Sequence, residues 1–307
     1  NGALVAGQTA DTGDHTYGSS DASQIGNWTP GGTTKANGSW LEFTETNSAN
    51  NSTGFAFFNG SSNMSMSSGF TLSGNFKSTP TTVNLALSGL FSGGDGYGFF
   101  LTPASKAQMQ ANFNNAANPP AAADPAYGNP YTTPKGGGLG IAGLTNSVFV
   151  GRDLYNNTTG FGTGTTLGPL DGSPNGNQGT TGPAKNVSIR TTDGTGALLR
   201  TNYETTTVDN SGDGGVLGIG NNHITDKITM TWAPTGAPNA QGQVTGILTV
   251  TDQPIDDNGK NINSAATLKQ TITVNSAMNI GAVGNVGGNV GQLSMNVSSI
   301  SFNGQKG

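Results

Sequence analysis

The chain contains no cysteine and little charge. None of its 307 residues is cysteine, which excludes thiolate-bound zinc, iron–sulfur clusters and thiol catalysis. Charged residues make up only 9%, and 12 Lys and Arg against 17 Asp and Glu give a net charge of −5. No basic patch is visible, so nucleic acid is a poor partner. No run of about 18 apolar residues occurs, so we expect no membrane insertion.

Glutamate and histidine are also scarce, which argues against hydrolysis. Glutamate occurs only at Glu42, Glu45 and Glu204. A retaining glycosidase needs two carboxylates that face the same way, whereas the odd spacing of Glu42 and Glu45 puts them on opposite faces of a strand. His15 and His223 lie in polar, turn-like sequence, and no Gly-x-Ser-x-Gly motif is present. We therefore expect no enzyme, with a glycan hydrolase kept as an alternative.

Glycine is abundant, with 50 residues, and it is mixed with many Thr, Ser and Asn residues. This composition suits many short strands joined by tight turns. Alternating apolar residues predict strands over 39–44, 54–60, 70–77, 83–91, the stretch after Asp95, 147–153, 187–191, 224–232, 243–251, 267–274 and 293–302, with weaker candidates at 197–199 and 217–219. Residues 224–232 and 243–251 look like a hairpin. One short helix is predicted over 104–113.

The pattern favours one all-β domain over residues 1–307. We expect an irregular N-terminal edge over 1–38 and a β-sandwich of antiparallel strands with long irregular loops over 39–303. The alternative is a parallel β-helix, which would show a coil period of about 20 residues. No such period is found.

The stretch over residues 135–157 combines a glycine loop with a polar strand end. Gly136, Gly137 and Gly138 allow close approach to the backbone, because no side chain intervenes. The strand that follows delivers residues 153, 155 and 157 in steps of two, so they face the same way. Carboxylate, carbonyl and amide oxygens are ligands suited to calcium. Alternatively, these residues simply end a strand and start a loop.

A second stretch, over residues 93–101, places a glycine-flanked aspartate, Asp95, before an apolar strand. Together the two stretches resemble the L-type (legume-type) lectin family, in which such loops build one sugar site over a calcium ion. The resemblance covers roughly residues 35 to 303, as judged from the strand pattern. It implies a concanavalin A-like jelly-roll fold.

The resemblance also implies roles for individual residues in sugar binding. Asp95 resembles the aspartate that accepts hydrogen bonds from sugar hydroxyls. Gly137 or Gly138 resembles the glycine whose backbone N–H donates to the sugar. Asn157 resembles the asparagine that binds metal and sugar together. Residues 284–291 lie where the family has its variable specificity loop, so Asn285 is expected to contact sugar.

The same comparison implies a calcium site and no manganese site. Asp153 and the Tyr155 carbonyl resemble metal ligands beside the asparagine just named. Gly151 stands where the family's transition-metal glutamate would be, so no Mn²⁺ is expected. Phe161 stands where a further ligand aspartate would be, and Asp171 could fill that vacancy from the following loop. The ring of Tyr155 could stack on the sugar, or it could equally be a core residue.

These expectations combine into one functional hypothesis. The chain is predicted to be a calcium-dependent carbohydrate-binding module of a secreted or cell-surface adhesin, which recognises glycans without turnover. The absence of cysteine suits a Gram-positive cell surface, with the chain attached to the wall as part of a longer adhesin and any signal peptide removed or outside this sequence. The alternative is a protein-binding or structural stalk module with a lectin-like fold and no sugar site.

Overall fold

A computed structural model of the chain describes two antiparallel β-sheets packed face to face. The described residues are 14–17, 28–37, 40–44, 52–58, 63–80, 96–115, 132–156, 182–198, 203–208, 224–286, 291–296 and 300–303. Within these ranges, the structure contains seventeen strands and one α-helix, α1 (Lys106–Asn115). The strands are β1 (Asp14–Tyr17), β2 (Trp28–Gly32), β3 (Lys35–Asn37), β4 (Trp40–Thr44), β5 (Ser52–Phe58), β6 (Met64–Ser65), β7 (Phe70–Pro80), β8 (Gly96–Thr102), β9 (Val148–Asn156), β10 (Gly182–Thr191), β11 (Tyr203–Thr207), β12 (Ile224–Pro234), β13 (Gln243–Pro254), β14 (Ala266–Asn275), β15 (Ala277–Val286), β16 (Gly291–Asn296) and β17 (Ile300–Asn303).

The two sheets divide the described strands almost equally. A nine-stranded sheet has the order β14-β13-β12-β7-β16-β4-β3, with β17 paired to β7 and β1 paired to β17. An eight-stranded sheet has the order β11-β10-β9-β8-β15-β5-β2, with β6 paired to β15. Every strand pair is antiparallel. The predicted antiparallel jelly-roll β-sandwich is confirmed, and the parallel β-helix is excluded.

The main core lies between the sheets and follows from the alternation of apolar residues. On β12, Ile228, Met230 and Trp232 point inward, because residues two apart share a face of a strand. They pack against residues from the other sheet such as Phe99 and Val150. The predicted hairpin is confirmed, since β12 and β13 pair from Asp226 with Pro254 to Pro234 with Gly246.

A second apolar cluster covers the outer face of the eight-stranded sheet. Phe55, Phe100 and Phe149 point away from the main core and are covered by residues 139–144 and by Met109 of α1. The predicted helix is confirmed, although it begins at Lys106. The outer face of the sheet beneath residues 139–144 is therefore shielded from solvent.

A capping box starts α1 where the sequence changes from strand to helix. Ser105 N–H donates to Gln108 Oε1 at 2.8 Å, and Gln108 N–H donates to Ser105 Oγ at 3.1 Å. Two helix-end donors are thereby satisfied reciprocally. The cap fixes the entry of the helix that seals one side of the outer cluster.

Strand β15 corrects the sequence-based expectation of a loop beginning at residue 284. It runs through the middle of the eight-stranded sheet, between β8 and β5. Its glycines make room for phenylalanine side chains, one from the adjacent strand β8 and one from β4 of the opposite sheet. A Cβ on Gly281 would lie 2.6 Å from Phe100 Cε1, and a Cβ on Gly284 would lie 2.7 Å from Phe43 Cβ. Glycine here serves close packing within a strand, not a turn.

Smaller differences concern the chain ends. The strand predicted over 293–302 is two strands, β16 and β17, and the N-terminal edge contains β1, β2 and β3. The strands predicted at 83–91 and 217–219 lie outside the described residues, and the single-domain organisation stays a prediction. Helical segments in the described ranges lack the length and apolar character needed to cross a membrane.

The outer face of the nine-stranded sheet carries hydroxyl groups in cross-strand rows. Facing side chains hydrogen-bond to each other across the strands. The pairs are Thr71 with Thr231 at 3.2 Å, Ser73 with Thr229 at 2.9 Å, Thr245 with Thr273 at 2.8 Å, and Thr251 with Thr267 at 3.1 Å. This face is polar, and it also carries Lys77, Lys227 and Lys269.

Candidate functional site

Four residues on adjacent strands form one cross-strand row at an end of the eight-stranded sheet. Thr53 pairs with Asn285, Asn285 pairs with Gly96, and Gly96 pairs with Asp153. Directly opposed residues point to the same face, so these four, which we call the site row, share the outer face. Asp95 immediately precedes Gly96 in the chain. The two sequence stretches predicted to cooperate therefore meet at this row.

The glycine loop is tied to the site row by buried hydrogen bonds. Asn285 Nδ2 donates to the Pro134 carbonyl at 3.1 Å, and Thr53 Oγ1 donates to Asn285 Oδ1 at 2.7 Å. Gly96 makes room for the loop, because a Cβ there would lie 2.9 Å from Leu139 Cδ2. Residues 136–138 form a short 3₁₀ turn between these two anchors. The loop is therefore held over the same strand ends that carry Asp153 and follow Asp95.

The prediction that Asn285 contacts sugar is not supported by its position. Asn285 is 1% exposed and its side-chain amide is committed to Pro134 and Thr53. Gly138 N–H likewise donates to the Lys135 carbonyl at 3.2 Å, which argues against Gly138 as a donor to sugar. Both residues instead shape the loop. Gly137 is buried in the same turn, and its predicted role stays a prediction.

A buried ionic cluster lies on the other face of the same strand ends. Arg152 Nη1 is 2.7 Å from Asp226 Oδ2, and Arg152 Nε is 3.8 Å from Asp252 Oδ2. Tyr97 OH donates to the same Asp226 oxygen. Tyr97 and Arg152 face each other on β8 and β9, whereas both aspartates belong to the nine-stranded sheet. We call these four residues the core ionic cluster; it joins the two sheets behind the site row.

Burial controls the protonation of the core ionic cluster. All four side chains are at most 1% exposed. Burial, and then the negative charge of Asp226, raises the pKa of Asp252 well above its usual range. Burial and Asp226 likewise raise the pKa of Tyr97. Arg152 with one carboxylate is neutral, so a second carboxylate charge would be uncompensated in the core. The neutral form of Asp252 is therefore favoured.

Asp153 lies in the site row but is paired with a cationic side chain. Arg190 Nη1 is 3.4 Å from Asp153 Oδ2, and both side chains are buried. In the part of the chain that the structure describes, no three His, Cys, Asp or Glu residues come together as a metal site would require. A calcium ion needs several oxygen ligands and no neighbouring cation. The described donors around Asp153 therefore do not fit calcium.

The remaining predicted site residues are only partly covered by the described ranges. The backbone of Tyr155 belongs to β9 and pairs with Pro183 of β10. Asp95, Asn157 and Asp171 lie outside the described residues. Their roles, and the role of the Tyr155 carbonyl and ring, stay predictions.

The core ionic cluster was not predicted from the sequence, although the sequence contains a signal for it. On β12, Asp226 continues the inward-facing series of Ile228 and Met230. On β13, Asp252 continues the series of Leu248 and Val250. A charged residue in step with apolar neighbours two residues away predicts a buried charge, which must find a partner.

Replacing Arg152 by methionine is expected to lower the free energy of unfolding by about 3–5 kcal/mol, because Asp226 loses its buried counter-charge. Urea denaturation at pH 7 measures the loss. The matched control is Lys227→Met, which removes an exposed cation next to Asp226 in sequence and should change stability by less than about 0.5 kcal/mol. Equal effects of the two substitutions would contradict a structural role for the cluster.

Asp252→Asn is expected to flatten the dependence of stability on pH. The folded pKa of Asp252 is raised above the unfolded value of about 3.9. Its contribution is therefore fully present below about pH 3.9 and is lost as pH rises through the folded pKa. Between the unfolded and the folded pKa the free energy of unfolding should fall by up to about 1.4 kcal/mol per pH unit, and above the folded pKa this contribution should be level.

Urea denaturation of the wild type and Asp252→Asn from pH 5 to pH 8 tests this expectation. Asp257→Asn, at an exposed position, serves as the control and should keep the wild-type slope. Parallel curves for the wild type and Asp252→Asn would show that Asp252 ionises like an ordinary surface carboxylate.

Comparison with solved structures identifies the fold but not the ligand. A lectin from Bauhinia forficata in complex with GalNAc aligns with a TM-score of 0.50 and 13% identity, over 96% of this chain and 98% of that chain. A Lotus tetragonolobus seed lectin aligns with a TM-score of 0.49 and 15% identity, over 97% of this chain and 99% of that chain. The VIP36 exoplasmic/lumenal domain in its Ca²⁺/Man3GlcNAc-bound form aligns with a TM-score of 0.43 and 13% identity, over 90% of this chain and 83% of that chain. No protein-family model and no curated protein matches the sequence. The chain thus has a legume lectin-like fold.

Proposed function

We propose that the chain is a carbohydrate-binding module that recognises glycans at the loops above the site row, without chemical turnover. The observation that carries this proposal is that two distant stretches of sequence meet at the same end of adjacent strands in the eight-stranded sheet. The residue after Asp95 pairs directly with Asp153, and the glycine loop is tied over the same row through Asn285. The legume lectin-like fold supports it, because lectins share this architecture.

The residues of the proposed site suit the chemistry of sugar recognition. A carboxylate such as Asp95 accepts hydrogen bonds from neighbouring hydroxyls, and an amide such as Asn157 both accepts and donates them. A glycine loop brings backbone close to a ligand, since it has no side chains in the way. Single sugar sites on open loops bind weakly, so display of many copies would supply avidity.

Turnover is not part of the proposal. The pair of carboxylates that glycoside hydrolysis needs must flank one bond. Glu42 is 7% exposed and lies on β4 of the nine-stranded sheet, whereas the site row belongs to the other sheet. A reducing-sugar release assay is expected to show no activity.

The proposed setting is the surface of a Gram-positive bacterium, with the chain as part of a longer wall-attached adhesin that binds host or microbial glycans. The lack of cysteine supports it. Calcium dependence through Asp153, the Tyr155 carbonyl, Asn157 and Asp171 was predicted from the sequence. The glycan binding proposed here does not require it, because Arg190 already pairs with Asp153.

Substitution of the two predicted sugar ligands tests the proposal directly. Asp95→Ala and Asn157→Ala should each lower affinity for the best glycan at least about tenfold, about 1.4 kcal/mol, because each removes hydrogen bonds to the sugar. A glycan array finds the ligand, and calorimetry measures affinity. Asp257→Ala and Asn258→Ala, both at exposed positions, are matched controls that should bind as the wild type does. Unchanged binding of both site variants would favour the protein-binding or structural stalk module instead.

A pair of asparagines on β15 offers a sharper test of the loop. Asn285 ties Pro134 above the site row, whereas Asn279 near the other end of the strand donates to the Ala104 carbonyl at 2.7 Å. Both Asn285→Ala and Asn279→Ala should lower the free energy of unfolding by about 1–3 kcal/mol, because each removes two side-chain hydrogen bonds of about 0.5–1.5 kcal/mol each.

Only Asn285→Ala should weaken glycan binding, since it alone releases the glycine loop. Calorimetry at a temperature where both variants are folded makes the comparison. An equal loss of affinity in both variants would trace the effect to general destabilisation.

A further inference from the structure

The Arg190 side chain places a positive charge beside the Asp153 carboxylate, although Arg190 starts from a distant position on the neighbouring strand. Arg190 pairs with Phe149 across β10 and β9, four residues away from Asp153 along β9. At about 3.4 Å of rise per residue, this distance is about 14 Å along the strand. Its guanidinium nevertheless reaches Asp153 Oδ2, at 3.4 Å from Nη1. The side chain must therefore lie along the sheet toward the site row.

Small residues line the path that the Arg190 side chain follows. Gly151 lies between Phe149 and Asp153 on the same face of β9, and it pairs with Ser188 of β10. Gly151 also faces Gly98 on β8. A row of Ser188, Gly151 and Gly98 leaves space above the sheet between the base of Arg190 and the carboxylate. A Cβ at position 151 would meet the backbone of Tyr97 and Gly98 on β8, so the position has no room for a side chain.

Burial makes a partner for Asp153 obligatory. Arg190 is 0% exposed and the Asp153 side chain is 4% exposed. A buried carboxylate needs a cation or several hydrogen-bond donors, because it has lost its hydration. A divalent ion from solution could supply the charge, but Arg190 already provides a positive charge that is covalently part of the chain. Guanidinium stays protonated at all physiological pH values.

We infer that Arg190 is a built-in substitute for a divalent cation at Asp153. The end of β9 beside the site row therefore keeps its position when calcium is removed. Resting on the proposed function, the inference extends to the glycan site, which should bind its ligand equally well in calcium and in chelator. The chain would then be a lectin-like module in which an arginine performs the charge neutralisation.

Thermal unfolding of the wild-type protein in excess EDTA and in millimolar CaCl2 provides the primary test, and it needs no variant. The two Tm values should agree within about 1 °C, because a ligand that does not bind the folded state leaves Tm unchanged. A Tm that falls by several degrees in EDTA and recovers with calcium would overturn the inference.

Variants at the pair add a second readout. Arg190→Gln should lower Tm by about 5–10 °C, because Asp153 is left buried without a cation. The double variant Arg190→Gln/Asp153→Asn should recover a large part of that loss. Arg190→Gln alone should gain a calcium-dependent rise in Tm that the wild type lacks. Lys269→Gln, which removes an exposed cation on β14, is the control and should match the wild type. A wild-type Tm in Arg190→Gln would overturn the inference.

Glycan binding in the same two buffers separates this inference from the proposed function. Equal array signals in calcium and in EDTA support both. Signals lost in EDTA would overturn the calcium-independent site. Absence of any glycan signal in both buffers would overturn the proposed function, and the Tm comparison would still decide the role of Arg190.

Discussion

The burial of Arg152 between the two sheets is the constraint on which the site depends. A guanidinium without water must meet a carboxylate, and Asp226 on the opposite sheet supplies it at 2.7 Å. Because Tyr97 and Arg152 alternate with Gly96 and Asp153 along β8 and β9, fixing the inner residues also fixes the outer ones. The strand ends that carry the site row are thereby held from behind by an interaction with directional geometry.

The architecture follows largely from alternation, and the exceptions have identifiable physical causes. The β12–β13 hairpin was predicted because the alternation of its apolar residues is a local signal, and α1 was predicted as one short helix. Strand β15 was predicted to become a loop, because its glycines look like turn residues in the sequence. Only the tertiary structure shows that Phe100 and Phe43 fill the space left by Gly281 and Gly284. Such packing depends on residues more than 100 positions away.

The location of the candidate site was more predictable than its chemistry. The order of the motifs in the sequence predicted that the Asp95 stretch, the glycine loop and Asp153 form one site. In the structure, the strand register places Gly96 and Asp153 side by side. The partner of Asp153 could not be foreseen, because Arg190 reaches it across two rows of the sheet from a neighbouring strand. The residue pattern of β9 alone does not indicate that a long side chain on β10 will reach Asp153. The buried role of Asn285 has the same origin, since Pro134 lies far away in sequence.

The outer face of the nine-stranded sheet has a consequence for colloidal behaviour. Thr245 with Thr273 and Thr251 with Thr267 bind each other and present methyl groups and hydroxyls to solvent, on the face that also carries Lys227 and Lys269. Dissolved ions screen the forces between exposed charges. Copies of this chain crowded side by side would therefore repel one another through the lysines of these faces, and that repulsion would weaken as salt is added.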